Sequence, residues 1–172
     1  MLSMKFEKTL FILAIILMIL LLTAYSIFPL SYVREINSVA AEMNIEPTLI
    51  AAVIKLESNF DDLALSSSGA FGLMQLMPET ANWLKTQYTV QGSWRDPFNN
   101  IKLGGFYLKR LLLEFNNDIH HTLNAYHMGP NRLKKLLADN KEFRKSNYTK
   151  RINLYKRIYQ ILYDGYFIYP GE

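Results

Sequence analysis

The sequence predicts an all-α fold, and three observations lead to this prediction. Apolar residues recur at helical spacing through most of the chain after residue 31. Several predicted helices begin with a proline or with a side chain that can cap the first turn. No alternating stretch is long enough to predict a sheet, although a short hairpin within residues 88–94 fits the pattern as an alternative. We expect a compact globular domain over residues 31–172, preceded by an N-terminal unit over residues 1–30.

The N-terminal unit is predicted to contain one transmembrane helix. Residues 10–28 carry no charge, and as a helix they would extend roughly 28 Å, about the thickness of a bilayer core. Lys5 and Lys8 precede this stretch, and Glu35 offsets Arg34 after it, so the N-terminus is expected in the cytoplasm. A cleaved signal peptide is the alternative, because residues 24–26 have the small-x-small form of a cleavage site. The length of the apolar stretch favours an uncleaved anchor, and both interpretations predict that the remaining chain is exported.

The domain is predicted as a series of helices with short connections. The expected helices cover residues 31–44, 47–58, 97–115, 118–128, 131–139 and 147–163, with a further helix that begins at Pro78. Pro47 and Pro78 fit first turns, and Asp96 can cap the helix that Pro97 opens. Residues 59–72 are rich in Ser, Asp and Gly, which is typical of a loop.

Three smaller features complete the predicted elements. Gly129 is expected to end one helix in the left-handed conformation, and Asn131 to cap the next. Trp83 is expected on the apolar side of its helix. Gly104 and Gly105 lie inside a predicted helix, where they would allow close packing against another backbone.

Composition excludes several kinds of site. The chain has no cysteine among its 172 residues, which excludes disulfides, thiol nucleophiles, thiolate metal ligands and a lipid-modified cysteine. The net charge of +4 is uneven, because ten Lys or Arg residues lie between Arg132 and Arg157. This basic C-terminal region predicts either affinity for lipid head groups or an anionic wall polymer, or an ordinary solvated helix surface. Nucleic acid is not an expected partner of an exported domain.

Glu57 is the candidate catalytic residue. It shares one helix face with Ile50, Val53 and Ile54, and it lies at the C-terminal end of that helix. Apolar surroundings and the negative end of the helix dipole both raise the pKa of a carboxyl group. A carboxyl that holds its proton near neutral pH can act as a general acid. From the helix alone, a Glu turned to water at a frayed end is the alternative.

Four blocks of sequence resemble one enzyme family. Glu57-Ser58 is followed by Ser66 and by GAFGLMQLMPETA at residues 69–81. The later blocks are DPFNNI at 96–101 with the Gly pair at 104–105, NAY at 124–126 with Gly129-Pro130, and Tyr148 followed by basic residues and Ile152. Over about residues 33–160 the chain thus resembles the soluble-type lytic transglycosylases (SLT domain), which are goose-lysozyme-like enzymes that cut bacterial peptidoglycan. The resemblance implies a lysozyme-like fold.

The resemblance also implies a mechanism and roles for further residues. One Glu, here Glu57, would protonate the glycosidic oxygen between N-acetylmuramic acid and N-acetylglucosamine. The same group would then act as base toward the sugar 6-hydroxyl, giving a 1,6-anhydro product without a cofactor. The implied substrate-binding residues are Ser66, Gln75, Met77, Tyr126 and Tyr148, with Gly69, Gly72 and Asn124 as structural support. The hydroxyl of Tyr148 is expected to contact the catalytic carboxyl.

The chain departs from the family pattern at two places, and alternatives remain open. His127-Met128 replaces Asn-Ala, and Arg144-Lys145-Ser146 replaces Glu-Thr-Arg. A hydrolase on the same fold would need a second carboxylate, for which Asp61, Asp62 and Asp96 are the candidates. A non-catalytic wall-binding scaffold is the other alternative, and the intact Glu57 and Gln75 argue against it. No metal site is predicted.

Overall fold

The computed structural model describes residues 2–139 and 146–171, and this part of the chain is helical. The helices are α1 Leu2–Ile27, α2 Val33–Met43, α3 Pro47–Glu57, α4 Pro78–Gln87, α5 Pro97–Glu114, α6 Ile119–Met128, α7 Pro130–Ala138 and α8 Asn147–Tyr163, followed by the 3-10 helix Asp164–Tyr166. Within the described ranges the only β-type pairing consists of two isolated bridges, Leu65 with Phe71 and Phe71 with Leu76. The all-α prediction is therefore confirmed.

The hairpin suggested for residues 88–94 is wrong. This segment is irregular, and two of its residues, Thr89 and Gly92, have φ angles of 52° and 81°. Extended strands need negative φ, so these two residues prevent a regular pairing.

α3 forms the centre of the domain. Its first eight residues, from Pro47 to Ile54, are all buried. A helix that is apolar on every side needs neighbours on every side, and α3 packs most extensively against α8 and also against α2. This arrangement brings the C-terminal end of α3, with Glu57, next to the start of α8.

The helix ends follow local sequence signals, with two corrections. Asp96 accepts a hydrogen bond from the backbone N–H of Asn99 at 3.1 Å, as expected of an N-cap. Asn131 does not cap α7, because α7 already begins at Pro130. Gly129, at φ 88° and ψ 139°, both ends α6 and precedes α7, so its conformation is extended in ψ rather than the left-handed helical one.

Two packing predictions are also corrected. Gly104 and Gly105 make room for side chains rather than for a backbone. An added Cβ atom on Gly104 would lie 2.2 Å from the Met74 sulfur, and one on Gly105 would lie 2.3 Å from Val39 Cγ1.

Trp83 does not enter the core from α4 as expected. It is 38% exposed, and the Arg110 guanidinium lies over its ring at 4.5 Å. Ala81 and Leu84 are the residues through which α4 enters the core.

α1 contains a segment long and apolar enough to cross a membrane. Phe6–Ile27 has a mean hydropathy of 2.8, and the side chains described within it are exposed apart from the half-buried Ala24. The chain then joins the domain directly, since Phe28 and Leu30 pack against the core. Tyr159 of α8 donates a hydrogen bond to the carbonyl of Pro29 at 2.8 Å. The end of α1 is therefore held against the domain by side-chain packing and hydrogen bonds.

Candidate active site

Glu57 and Tyr148 form the centre of the site. Glu57 is the last residue of α3 and Tyr148 lies in the first turn of α8. The Tyr148 hydroxyl donates a hydrogen bond to Glu57 Oε1 at 2.5 Å. The contact expected for Tyr148 is thus present in the structure, and it joins residues from the two helices that pack most closely.

Two influences act on the Glu57 carboxyl in opposite directions. Burial raises its pKa, because the charged form loses hydration, and this effect is the larger one. The hydrogen bond from Tyr148 lowers the pKa, because it stabilises the carboxylate. The resulting pKa lies above the ordinary value of 4.5. Burial of Tyr148 and the nearby Glu57 charge raise the tyrosine pKa well above its usual range, so Tyr148 stays a neutral donor.

The loop that follows α3 is shaped by two glycines and one buried asparagine. Gly69 and Gly72 have φ angles of 89° and 80°, a region that side chains rarely adopt. Fully buried Asn100 of α5 accepts a hydrogen bond from the backbone N–H of Met74 at 2.8 Å and donates one to the Phe71 carbonyl at 3.1 Å. Asn100 belongs to a motif identified from the sequence but was assigned no role there. The available signal was a polar Asn in the first turn of α5, a helix with an otherwise apolar inner face.

Gln75 and Ser66 are both tied into this loop. Gln75 has a φ of 46°, and its Nε2 donates to the carbonyls of Ala64 and Gly72, each at 3.0 Å. Ser66 Oγ accepts from the backbone N–H of Ala70 at 2.9 Å. Both side chains therefore stabilise the loop by hydrogen bonds to its backbone. Both residues also line a cavity.

Two neighbouring cavities meet at Gln75. The larger has a volume of about 510 Å³ and is lined by residues that include Glu57, Ser66, Gln75, Arg151 and Tyr155. The smaller has a volume of about 260 Å³, and its lining includes Gln75, Met77, Tyr126 and His127. Both contain Gln75, so they adjoin there; we call the two cavities together the groove, and Glu57 lies on its larger side. Met77 is 42% exposed in this groove, whereas Met74 is fully buried in the core.

Tyr126 and Asn124 take different positions on α6. The Tyr126 hydroxyl donates to the Met74 carbonyl at 2.7 Å, so it fixes the backbone next to Gln75 while its ring contributes to the smaller cavity. Asn124 is fully buried and does not line either cavity. Five of the residues named from sequence (Glu57, Ser66, Gln75, Met77 and Tyr126) are brought together around the groove, and Tyr148 reaches it through Glu57.

The structure describes the first departure from the family pattern, at residues 127–128. The His127 ring stacks on Tyr148 with centroids 4.4 Å apart and planes 17° apart. Burial and the nearby Arg132 lower the pKa of His127, so the ring is neutral at neutral pH. The other departure, at residues 144–146, falls outside the described residues except for Ser146, which caps α8 through the N–H of Thr149.

The site contains a carboxyl group, Glu57, that can transfer a proton. It also has polar and apolar side chains, such as Gln75 and Met77, that can contact a ligand. Within residues 2–139 and 146–171, no three His, Asp or Glu side chains cluster in a way that could hold a metal ion. Of the described residues that line the two cavities, Glu57 alone carries a carboxyl group. The arrangement is a candidate single-acid site in a helical domain, beside two adjoining cavities.

Comparison with known proteins identifies the family. The model of the Transglycosylase SLT domain family matches residues 34–149, which is more than half of the chain. The chain belongs to this family. A transglycosylase of Enterobacteria phage PRD1 is 38% identical over 102 residues, covering 59% of this chain and 36% of the relative. The soluble lytic murein transglycosylase of Escherichia coli K12 is 30% identical over 117 residues, covering 65% of this chain and 18% of the relative.

A solved structure of a lytic transglycosylase also matches the fold. The structure of an inactive Glu-to-Gln mutant of the lytic transglycosylase Slt from Pseudomonas aeruginosa matches with a TM-score of 0.71 and 27% identity, covering 78% of this chain and 24% of that one. The chain therefore spans about a third or less of the length of the proteins it matches, and the similarity concerns their SLT domain.

Proposed function

We propose that this protein is a membrane-anchored peptidoglycan lytic transglycosylase that cleaves the β-1,4 bond between N-acetylmuramic acid and N-acetylglucosamine. The observation that carries the proposal is the half-buried Glu57, whose pKa is raised, at the edge of a groove and under the hydroxyl of Tyr148. The matching lytic transglycosylases, one of them inactive as a Glu-to-Gln mutant, support this assignment.

In the proposed reaction, Glu57 acts first as acid and then as base. Its proton passes to the glycosidic oxygen as the bond to the anomeric carbon of N-acetylmuramic acid breaks. The resulting carboxylate takes the proton of the 6-hydroxyl of the same sugar, and the 6-oxygen bonds to the anomeric carbon. The products are a free 4-hydroxyl on N-acetylglucosamine and a 1,6-anhydro end, and Glu57 is again protonated. Tyr148 orients the carboxyl and stabilises its charged state between the two steps.

A single carboxyl group suits this mechanism better than hydrolysis. Glycosidases that use water or an enzyme nucleophile normally need two carboxyl groups flanking the bond. Asp62 accepts a hydrogen bond from Tyr32 at 2.8 Å, and Asp61 and Asp96 accept from nearby backbone N–H groups at 3.0 and 3.1 Å. None of the three lines either cavity. The 6-hydroxyl of the substrate therefore supplies the nucleophile in our proposal.

The groove offers the contacts that a glycan strand needs. Gln75 lies where the two cavities meet, and with its Nε2 bonded to the loop its amide oxygen can accept from a sugar hydroxyl or an acetamide N–H. Ser66 is proposed to contact sugar on the Glu57 side. Met77 and Tyr126 provide apolar surface for sugar faces on the other side. Gly69, Gly72 and Asn124 are proposed to support this geometry rather than touch the glycan.

The N-terminal unit is proposed to hold the enzyme at the cell membrane. Phe6–Ile27 would span the bilayer once, with the N-terminus in the cytoplasm and residues 31–172 outside as the catalytic domain. Cleavage of the N-terminal segment would instead yield a secreted enzyme. The basic C-terminal region, of which residues 141, 144 and 145 lie outside the described part, is proposed to favour anionic lipid or wall polymer.

Digestion of purified cell-wall sacculi tests the proposal. We expect the wild-type protein to release muropeptides with 1,6-anhydro ends, which mass spectrometry distinguishes because each is one water lighter than a reducing end. Glu57→Gln should lower the rate at least about 100-fold, the usual contribution of a general acid. Reducing ends from the wild type would instead identify a hydrolase. A Glu57→Gln protein that still complements a deletion strain would indicate a wall-binding scaffold.

A further inference from the structure

The last turn of α1 is in contact with the end of α8. Tyr25 donates a hydrogen bond to the carbonyl of Leu162 at 3.3 Å, and its ring meets that of Tyr163 edge-on with centroids 5.2 Å apart. Tyr163 in turn donates to the carbonyl of Phe28 at 2.6 Å. Since Tyr25 lies inside the candidate span Phe6–Ile27, residues 162–163 lie at the level where this span ends.

Large apolar side chains are exposed on the residues next to and shortly after this contact. Ile161 is 82% exposed, and Tyr166 and Ile168 are each 64% exposed; we call these three residues the α8-end patch. Single exposed apolar residues are common on soluble proteins, but these three lie within eight residues of one another, next to the contact with the end of the candidate span.

The α8-end patch is held in a defined conformation. The carbonyl of Tyr166 accepts a hydrogen bond from Asn37 Nδ2 at 2.9 Å, and the N–H of Ile168 donates to Asn37 Oδ1 at 3.2 Å. Tyr163 also meets Tyr166 edge-on with centroids 6.0 Å apart. The residues after α8 are thus held by hydrogen bonds to Asn37 of α2 and by the buried Phe167, while Tyr166 and Ile168 are exposed.

We propose that the α8-end patch inserts into the boundary between head groups and acyl chains of the bilayer that α1 crosses, an inference that rests on the proposed membrane anchoring. Tyrosine side chains with an apolar ring and a polar tip favour this boundary, and Tyr25 and Tyr166 supply them. Arg157 lies one helical turn before Ile161 on the same side of α8 and is exposed, so it can reach lipid phosphates. The catalytic domain therefore has two attachments to the membrane, α1 and this patch, and cannot rotate freely about α1.

The natural absence of cysteine allows a direct test on the full chain in lipid nanodiscs. Single variants Ile161→Cys and Ile168→Cys would be labelled with a fluorophore that is sensitive to polarity. The control is Leu113→Cys near the C-terminal end of α5, a side chain that is 62% exposed and belongs to neither proposed attachment. A further variant, Leu20→Cys, reports on the middle of the candidate span. Each protein would be compared in nanodiscs with and without lipids that carry a quencher near the head group or deep in the acyl chain.

We expect the labels at residues 161 and 168 to shift to shorter wavelength and to be quenched by the shallow lipid quencher at least about threefold more than the label at residue 113. The label at residue 20 should respond to the deep quencher. If residue 20 responds while residues 161 and 168 are quenched only by aqueous iodide, the patch does not contact lipid and our inference is wrong, although the anchor stands. If residue 20 also fails to respond, the anchoring itself is wrong. Labels at 161 and 168 that are shielded from both quenchers would indicate a covering protein, such as a second copy, and would overturn the inference as well.

Discussion

Glu57 is under two opposing influences, and their balance determines its chemistry. Burial favours the protonated form, which the first step of the proposed reaction consumes, and the Tyr148 hydroxyl favours the charged form, which that step produces. A neutral donor at 2.5 Å stabilises the carboxylate without the strong pKa depression that a cation would cause. Tyrosine therefore suits this position better than Lys or Arg.

The first prediction concerns Tyr148→Phe. Loss of the hydroxyl removes the group that lowers the pKa of Glu57, so this pKa should rise further and the alkaline limb of the kcat/KM profile should move to higher pH. The rate at the optimum should fall about tenfold, the usual cost of one hydrogen bond to a charged group. The measurement is the rate of muropeptide release against pH.

Tyr155→Phe is the matched control for this experiment. It removes a hydroxyl from the same helix and from the lining of the same cavity, but that hydroxyl accepts from Arg151 at 3.1 Å and has no hydrogen bond to Glu57. Its alkaline limb should stay where the wild-type limb lies. An equal displacement in both variants would contradict the role assigned to Tyr148.

The second prediction concerns stability and Glu57→Gln. Because the folded pKa of Glu57 is above its unfolded value of 4.5, the folded state binds more protons between these two values. The stability contributed by the protonated carboxyl is complete below pH 4.5 and is lost as the pH rises through the folded pKa. The Gln variant has no such loss, so its Tm should exceed that of the wild type at pH 7, and the difference should shrink toward pH 4. A Tm difference that is the same at both pH values would contradict the raised pKa.

At the scale of elements, the loop between α3 and α4 depends on a residue of α5. Asn100 holds the backbone at Phe71 and Met74, and a Cβ on Gly72 would lie 2.7 Å from its amide nitrogen. Gly69 has a similar φ, but nothing lies within 4 Å of the corresponding position. A side chain at Gly69 would therefore suffer only backbone strain, whereas one at Gly72 would also overlap with Asn100.

The third prediction compares Gly72→Ala with Gly69→Ala. Gly69→Ala should cost about 1 kcal/mol in the free energy of unfolding, since only the positive φ is strained. Gly72→Ala should cost about 2–4 kcal/mol, because the methyl group also displaces the Asn100 amide. Muropeptide release should fall more in the Gly72 variant, because Gln75 follows the displaced segment. Denaturant unfolding and the sacculus digest check both expectations, and equal effects of the two substitutions would rule out the proposed role of Asn100.

The helices and the contacts between them differ in how far sequence predicts them. α3, α5 and α8 were predicted within a residue or two because proline, capping residues and apolar periodicity act locally. The Tyr148–Glu57 contact was expected only from the family resemblance, since 91 residues separate the pair. The roles of Asn100, Gly104 and His127 could not be predicted, because each depends on which distant side chain packs against it.

At the scale of the whole molecule, packing runs across the boundary predicted at residue 30. Phe28 meets Tyr155 and Tyr159 edge-on, with centroids 5.3 and 6.0 Å apart, and the Lys55 ammonium lies 5.1 Å from its ring centroid. Lys55 and Tyr155 also line the larger cavity. The segment that leaves α1 therefore packs against two residues that line the larger cavity of the candidate active site.

The fourth prediction is that Phe28→Ala destabilises the catalytic domain. The substitution should cost about 2 kcal/mol in the free energy of unfolding, less than a fully buried Phe because Phe28 is half-buried. Thermal unfolding of the full chain in detergent, followed by near-UV circular dichroism, measures this effect. Phe11→Ala is the control. Phe11 is 68% exposed within the candidate span, so its loss should leave the Tm of the domain unchanged. Equal Tm values for the two variants would mean that the exit segment does not contribute to the fold.

α8 has Tyr148 at one end and Tyr163 at the other, and its length limits how far the enzyme can reach. Its 17 residues extend about 25 Å, and Tyr163 lies beside the last turn of α1. If α1 spans the membrane as proposed, the carboxyl of Glu57 therefore lies no more than about 25 Å, plus a side chain at either end, above the lipid. Any tilt of α8 relative to the membrane normal would bring Glu57 closer to the lipid. In that proposed arrangement, glycan in outer layers of the wall would lie beyond the site, and the strands within reach would be those nearest the membrane.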